Sequence, residues 1–310
     1  MELSAPFWQI AKSACKFYLS QWFVKKWRRD AIPLPSSGAR MFVDVRENRG
    51  RALFILEGQT QPRLHRFWQQ AVHQWQPDYV LDVGVNYGEC LFSVRYPEHC
   101  QIVGIEANLA LKPYIERSKS THPNHPQMRL HYAIASDQAM QQQTFYVNKY
   151  WSGISSAVSG RRFFKKMYQS HVVDQITVDS IWSTQPLENR KLLFKIDVEG
   201  YEPKVLAGMK TLIRRCPHML GFIEFDSDYI ERAGYEANQF LQTLSADFEV
   251  YAYLANERLV RITGFKMAEL QRIFEANSIH TDFVIVSPNM QWPIMNEWIE
   301  TEHTIKQATQ

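Results

Sequence analysis

The chain has 310 residues, 45% of them hydrophobic and 22% charged. That is enough for one well-buried globular domain with additions, and it excludes a disordered chain, a collagen and a coiled coil. No apolar run approaches the ~18 residues of a membrane span. Four cysteines without a C-x-x-C pair neither staple a fold nor build a zinc ribbon, and they read as reduced thiols of a cytoplasmic protein. The net charge of +3 is too small to imply nucleic-acid binding, but it is unevenly placed: residues 1–40 carry seven basic and two acidic side chains, while the rest sums to −2.

In chain order, Phe7 to Arg29 has the apolar spacing of a helix, with Lys12, Lys16, Lys25 and Lys26 between its aromatic residues. It has no cleavage site and an interrupted apolar stretch, unlike a signal peptide. Two roles are open to it: a peripheral contact with the inner face of an anionic membrane, or packing of its aromatic face on the body or on a second copy of the chain as a homodimer. Pro33 to Gly38 looks like a linker, so residues 1–40 are expected to be an N-terminal extension. From Met41 to about Pro288 the pattern is that of one domain. Met41–Val45 and Ala52–Leu56 read as short strands around a turn at Asn48-Arg49-Gly50, and Leu64–Trp75 reads as a helix. Apolar strands follow at Tyr79–Val83, Gln101–Ile105, Met128–Ile134, Lys191–Ile196, Met219–Phe225, Phe248–Leu254 and Phe283–Val286. Helical stretches such as Pro203–Arg214 and Ala237–Ser245 alternate with them. Such alternation predicts an α/β fold: a mostly parallel sheet with helices on both faces. Residues 76–140 form its cofactor-binding half, 141–174 an insertion and 191–288 its catalytic half. The tail 289–310 carries no readable role.

The segment Asp82-Val83-Gly84-Val85-Asn86-Tyr87-Gly88-Glu89 is a buried strand running into a glycine turn and then, by expectation, a helix. In open α/β sheets ligands bind at the carboxyl ends of strands, near the point where strand order reverses. A dinucleotide fingerprint is not met, because Asn86 and Glu89 stand where the second and third glycines belong, and Glu89 would repel a pyrophosphate at a helix N-terminus. This weakens the alternative of an NAD-dependent oxidoreductase. Glu106 ends the next strand, 22 residues after Gly84, where a carboxylate can accept both hydroxyl hydrogens of a ribose. Ribose with a cationic, unphosphorylated remainder describes S-adenosylmethionine. Further on, Asp197, Glu199 and Glu224 fall at the carboxyl ends of adjacent strands. They can converge on one mouth, either to accept a proton from an attacking hydroxyl or to hold a hard divalent cation such as Mg²⁺. His171 is a lesser base candidate. Glu202 caps a helix. In the insertion, Gly160–Tyr168 reads as an amphipathic helix with a basic face. Its Arg161, Arg162 and Lys165 suit an acidic acceptor, and Trp151 suits stacking on a sugar ring.

Asp82-Val83-Gly84-Val85-Asn86-Tyr87-Gly88 resembles the D-x-G-A-N-x-G signature of the FkbM family of adenosylmethionine-dependent methyltransferases. Ile176 to Ile181 is similar to its T-x-D-x-[LI] segment, and Lys195 to Glu202 with Val205-Leu206-Ala207-Gly208 to its K-I-D-V-E-G-x-E-x-x-V-L-x-G block. The resemblance runs from about Met41 to Pro288, with Val85 in place of the usual alanine. It implies a Rossmann-like class I methyltransferase fold, a seven-stranded sheet with its last strand antiparallel. It also implies O-methylation of a sugar, lipid-linked glycan or natural-product hydroxyl. Gly84, Asn86 and Gly88 would line the methionine end of S-adenosylmethionine, Glu106 would hold its ribose, Ile134 and Ala135 would border its adenine, and Asp197 would face the reacting centre. Asp82, Val85, Tyr87, Ala107 and Asn108 would be further cofactor-binding residues. A non-catalytic module that keeps the binding site is the remaining alternative.

Overall fold

The computed structural model describes residues 30–148, 168–254, 257–288 and 290. The helix expected in the head, the basic helix expected in the insertion with Trp151, Arg161, Arg162 and Lys165, and the tail lie outside the described residues.

An antiparallel hairpin opens the described chain: β1 (Ala31–Leu34) pairs with β2 (Ala39–Phe42). Ile32, Leu34, Ala39 and Met41 are buried in the main core. The Phe42 amide donates to Ser118 Oγ at 2.8 Å, and the Arg117 guanidinium lies 4.0 Å from the Phe42 ring centroid. Residues 31–40 are therefore part of the body and not a linker. The apolar alternation of Ile32, Leu34 and Met41 gives this hairpin one face to bury, which the prolines and serines of the turn disguise.

The strand pair expected around Asn48-Arg49-Gly50 is replaced as well. Residues 48–55 form helix α1 (Asn48–Ile55), whose N-cap Glu47 accepts from the Arg49 and Gly50 amides at 3.0 and 2.8 Å. That cap satisfies amides a helix start leaves unpaired, so the apolar run Ala52–Leu56 coils instead of extending. Helix α2 (Pro62–Gln70), continued by a π turn at Ala71–Trp75, matches its expected span and buries Phe67 and Trp68 completely.

The main sheet has eight strands in the order β12-β11-β13-β10-β9-β3-β4-β5, from β3 (Tyr79–Val83), β4 (Gln101–Ile105), β5 (Met128–His131), β9 (Lys191–Ile196), β10 (His218–Asp226), β11 (Glu249–Tyr253), β12 (Leu259–Arg261) and β13 (His280–Val286). β5, β4, β3, β9 and β10 run parallel. β13 is antiparallel between β10 and β11, as the class I pattern requires. The strand beyond the expected seven is β12, a three-residue edge strand paired only to β11. Strand order reverses between β3 and β9, so the crevice of an open sheet opens there. Both sheet faces are covered. Val80 enters one core with Phe67 and Trp68, while Tyr79, Leu81 and Val83 enter the other with Trp182, Leu212 and Phe240. Burial on both faces is why β3 reads as an unbroken apolar run with one exception, Asp82.

Three boundaries differ from the sequence reading. The chain after Gly88 forms consecutive turns with no regular helix assigned. Met128–Ile134 breaks after His131, and β6 (Ile134–Ala135) joins a separate three-stranded sheet with β7 (Met140–Asn148) and β8 (Tyr168–Ile176). After α3 (Lys112–Thr121) and α4 (Val178–Trp182), the helix expected at 203–214 divides into α5 (Glu202–Ala207) and α6 (Lys210–Arg215) at Gly208. A β-carbon at Gly208 would stand 2.0 Å from the Ser136 carbonyl oxygen, so the residue that divides the helices also seats them on the strand below. α7 (Ser227–Arg232) follows β10 directly, and α8 (Ala237–Asp247) and α9 (Met267–Phe274) complete the cover. No helix among the described residues is long and apolar enough to cross a membrane.

Candidate active site

A cavity of about 370 Å³ opens at the carboxyl ends of β3, β4, β9 and β10, within the range of small-molecule sites. Its centre is the turn after β3. The Gly84 amide donates to the Ile105 carbonyl at 3.0 Å and the Asp197 amide to the Val83 carbonyl at 3.1 Å, drawing three strand ends together. Gly84 has φ +85°, and a β-carbon on it would lie 1.9 Å from the Asp197 carbonyl oxygen. No other residue fits this crossing.

Glu106 stands on the wall, almost buried. One carboxylate oxygen accepts the Asn86 amide at 2.7 Å and the other the Asn108 amide at 2.7 Å. Each carboxylate oxygen has two acceptor positions, so one on each is left for a ligand donor. Burial pushes the Glu106 carboxyl up, while the two backbone bonds pull it back toward ionisation. Beyond it Ala107, Ala133, Ile134, Ala135, Phe145 and Tyr201 line an apolar slot. Phe145 comes from β7, so the small sheet roofs this end of the site.

On the other side, Lys195 is buried beneath the floor. Its Nζ donates to Asp82 Oδ1 at 3.1 Å and the Gly84 carbonyl at 2.9 Å, and lies 3.6 Å from Asp197 Oδ2. Burial alone would lower the Lys195 pKa, but the two carboxylates overcome it and keep the ammonium charged. Asp82 is raised by burial against the pull of Lys195. Asp197 is held below its ordinary value: burial opposes ionisation, and Lys195 together with a hydrogen bond from Glu224 outweighs it.

Asp197, Glu199 and Glu224 offer oxygen atoms that all lie within 4.8 Å of one another. Glu199 has φ +57° and precedes Gly200 at φ +96°. The turn after β9 is thus wound into a conformation unusual for a charged residue, and this holds Glu199 toward the cluster. Burial and the charges of Asp197 and Glu202 push Glu199 up to about 9. Burial and the same neighbours push Glu224 well above the carboxylate range, and its Oε2 is buried without a partner. Without a cation the three acids therefore share protons, with the negative charge on Asp197. They are the candidate divalent-cation ligands, since an oxygen donor set of this kind suits a hard cation. Folding tightens the hold on a proton at Glu199, so that stabilisation is complete below its ordinary value of 4.5 and is lost as pH climbs to about 9. In EDTA, the melting temperature of the wild type should fall across that interval relative to Glu199→Gln. Millimolar Mg²⁺ should restore it at the alkaline end. Identical pH profiles for the two proteins would contradict this description.

Of the residues singled out in the sequence, Gly84, Val85, Asn86, Glu106, Ala107, Ile134, Ala135, Asp197, Glu199 and Glu224 stand on the cavity wall. Asp82, Tyr87, Gly88 and Asn108 stand behind it. Tyr87 is buried in the core with its hydroxyl on Glu47 at 3.2 Å, and Gly88 at φ +86° packs against the Phe92 ring. Asn108 acts through its amide on Glu106. His171 does not join the carboxylates. It lies mid-strand in β8 opposite Phe145, not at a strand start, and is absent from the wall.

The sequence reading missed Arg49, Gln61, Cys90, Tyr201, Tyr229 and His280, all on the wall. Arg49 lay in the turn of a stretch misread as two strands, and Gln61 lay between that stretch and the next helix. His280, whose Nδ1 is 3.1 Å from Asp226 Oδ2, begins the last strand in register with Asp226, and no motif marks it. Glu89 was misjudged. It is not at a helix N-terminus; its carboxylate accepts the Thr60 amide and hydroxyl, the Gln61 amide at 2.8 Å and Arg49 Nη2 at 3.0 Å.

Residues 82–256, more than half of the chain, match the methyltransferase FkbM domain. No curated protein sequence matches the chain. Among solved structures, a Klebsiella pneumoniae protein with a provisional O-methyltransferase name is 12% identical, with a TM-score of 0.44 over 87% of this chain and 96% of its own. A Bacillus cereus O-methyltransferase in complex with S-adenosylhomocysteine is 10% identical, with a TM-score of 0.40 over 74% and 83%. TomG, the O-methyltransferase of tomaymycin synthesis from Streptomyces achromogenes, solved with S-adenosylmethionine, is 8% identical, with a TM-score of 0.39 over 76% and 85%. These likenesses are too distant to carry an argument about chemistry; the family match sets aside the oxidoreductase. The chain belongs to the FkbM family of methyltransferases.

Proposed function

We propose that this methyltransferase uses S-adenosylmethionine to methylate a hydroxyl oxygen of a sugar or lipid-linked glycan. The observation that carries the reading is the adjacency of two halves of one cavity: a ribose-competent Glu106 with an apolar slot beside it, and an acidic cluster, Asp197, Glu199 and Glu224, across the Gly84 turn. The residues fit the donor. The free acceptor positions of Glu106 suit a ribose diol, the slot of Ile134, Ala135 and Phe145 suits a purine, and the acids favour a cationic centre.

When bound, the donor supplies a methyl group already activated by its sulfonium. The chain must then align an acceptor oxygen and remove its proton. Asp197, ionised and on the wall, is the group able to take that proton. Protonated Glu199 and Glu224 hold the acceptor by hydrogen bonds. With a divalent cation such as Mg²⁺ the three acids would ionise and hold it, and the cation would lower the pKa of the hydroxyl. The FkbM resemblance supports the acceptor class, as do the basic residues of the insertion.

Incubation with methyl-labelled donor and a glycan and glycolipid extract tests the reading. Label should enter a product that survives mild alkali, as an ether does. Asp197→Asn should slow its formation by about 10²–10⁴-fold. Label released by alkali, marking a carboxyl ester, would overturn it.

A further inference from the structure

The sheet fixes the direction in which a bound donor lies. Strand order β9-β3-β4-β5 sets Asp197, Gly84, Glu106 and the Ala133–Ala135 segment side by side. A nucleoside with its ribose on Glu106 and its base in the apolar slot therefore extends its 5′ substituent past Gly84 toward Asp197. In the donor that substituent ends in an amino acid, a zwitterion with one carboxylate and one ammonium. We infer that Arg49 binds this carboxylate. The inference rests on the adenosylmethionine reading above and assigns its methionine end to a segment outside the matched family domain.

Arg49 stands on the cavity wall with its side chain 17% exposed. Its Nη2 is fixed by Glu89 at 3.0 Å, while its Nε is buried without a hydrogen-bond partner. A guanidinium carries five donors in a planar fork that matches a carboxylate, so a buried Nε without a partner marks an arginine awaiting an anion. Of the other basic side chains on the described wall, Lys195 already serves Asp82, the Gly84 carbonyl and Asp197, and His280 meets Asp226. Arg49 shares the cavity wall with Asp197 and Glu199. Gln61 stands on the same wall. The wall thus holds a guanidinium with an unpaired Nε at the end where the carboxylate must lie.

The position of Arg49 is built into the fold. Glu89, directly after the Gly84–Gly88 turn, gathers the Thr60 and Gln61 amides as well as the guanidinium. It ties the segment between α1 and α2 to the turn that carries the donor and acts as a positioning residue for Arg49.

Calorimetry with two ligands tests this without an acceptor. S-adenosylhomocysteine carries the amino acid; 5′-methylthioadenosine has the same nucleoside thioether without it. Arg49→Met should weaken S-adenosylhomocysteine by about ten- to a hundredfold, the loss of a charge-assisted pair. Its affinity for methylthioadenosine should change by less than about threefold, which also shows that the variant pocket is folded. Arg49→Lys should fall between, keeping the charge and losing the fork. If Arg49→Met leaves S-adenosylhomocysteine unchanged, Arg49 serves something else, such as an anionic acceptor, and the inference is overturned. An equal loss for both ligands overturns it too. A wild type that binds neither ligand overturns the donor reading itself, and this inference with it.

Discussion

Glu106→Ala should weaken S-adenosylhomocysteine binding at least about a hundredfold. Hydrogen bonds to a charged partner contribute about 1.5–3 kcal/mol each, and Glu106 has one acceptor position free on each oxygen for the two ribose hydroxyls. Two such bonds lost correspond to roughly two to four decades of affinity. Part of the loss is indirect, because alanine also frees the Asn86 and Asn108 amides and loosens the turn. A 2′-deoxy ligand separates the two contributions. In the wild type, deleting the 2′-hydroxyl should cost about tenfold or more; in Glu106→Ala it should cost little, since its partner is gone. A deoxy penalty that persists undiminished in the variant would show that Glu106 does not hold the ribose.

Lys195→Met is expected to give the largest loss of stability. The ammonium lies among Asp82, Asp197 and the Gly84 carbonyl, with Lys195 4% exposed and Asp82 fully buried. Removing one member of a buried ion pair leaves charge without a partner and costs about 3–5 kcal/mol. In a domain of this size that corresponds to a drop in melting temperature on the order of 10 °C. The companion Asp82→Leu, added to Lys195→Met, should recover much of the loss, because an apolar pair of similar volume removes the orphaned charge. Scanning calorimetry of the two single variants and the double variant reads the coupling. Additive effects, or a Lys195→Met loss below about 1 kcal/mol, would mean that water reaches the cluster and that it does not organise the floor of the site.

What the sequence displayed was whatever depends on local order. The strands buried on both faces, Tyr79–Val83 and Lys191–Ile196, are apolar runs with charged residues at the functional end. The carboxylates at strand ends were legible because charge at such a place is costly without a purpose. Several family positions turn out to hold the fold. Thr177 caps α4, and Asp179 accepts the Thr211 and Leu212 amides at 2.9 and 2.8 Å, fastening α6. Tyr87 and Gly88 likewise pack into the core behind the cofactor turn. What stayed hidden depends on contacts across long stretches of chain. Glu89 meets Thr60, 29 residues earlier, and His280 meets Asp226, 54 residues earlier. Neither separation leaves a period or a motif. The Ala52–Leu56 run failed for a local reason: five apolar or small residues fit a strand or a helix turn equally well, and the cap at Glu47 decided between them.

A crystal structure with S-adenosylhomocysteine tests the central claim most directly. The account places both ribose hydroxyls on the Glu106 carboxylate, the adenine between Ile134 and Phe145, and the thioether sulfur above Gly84, facing Asp197. A ligand bound elsewhere, or one lying in this cavity with its ribose away from Glu106, would contradict it.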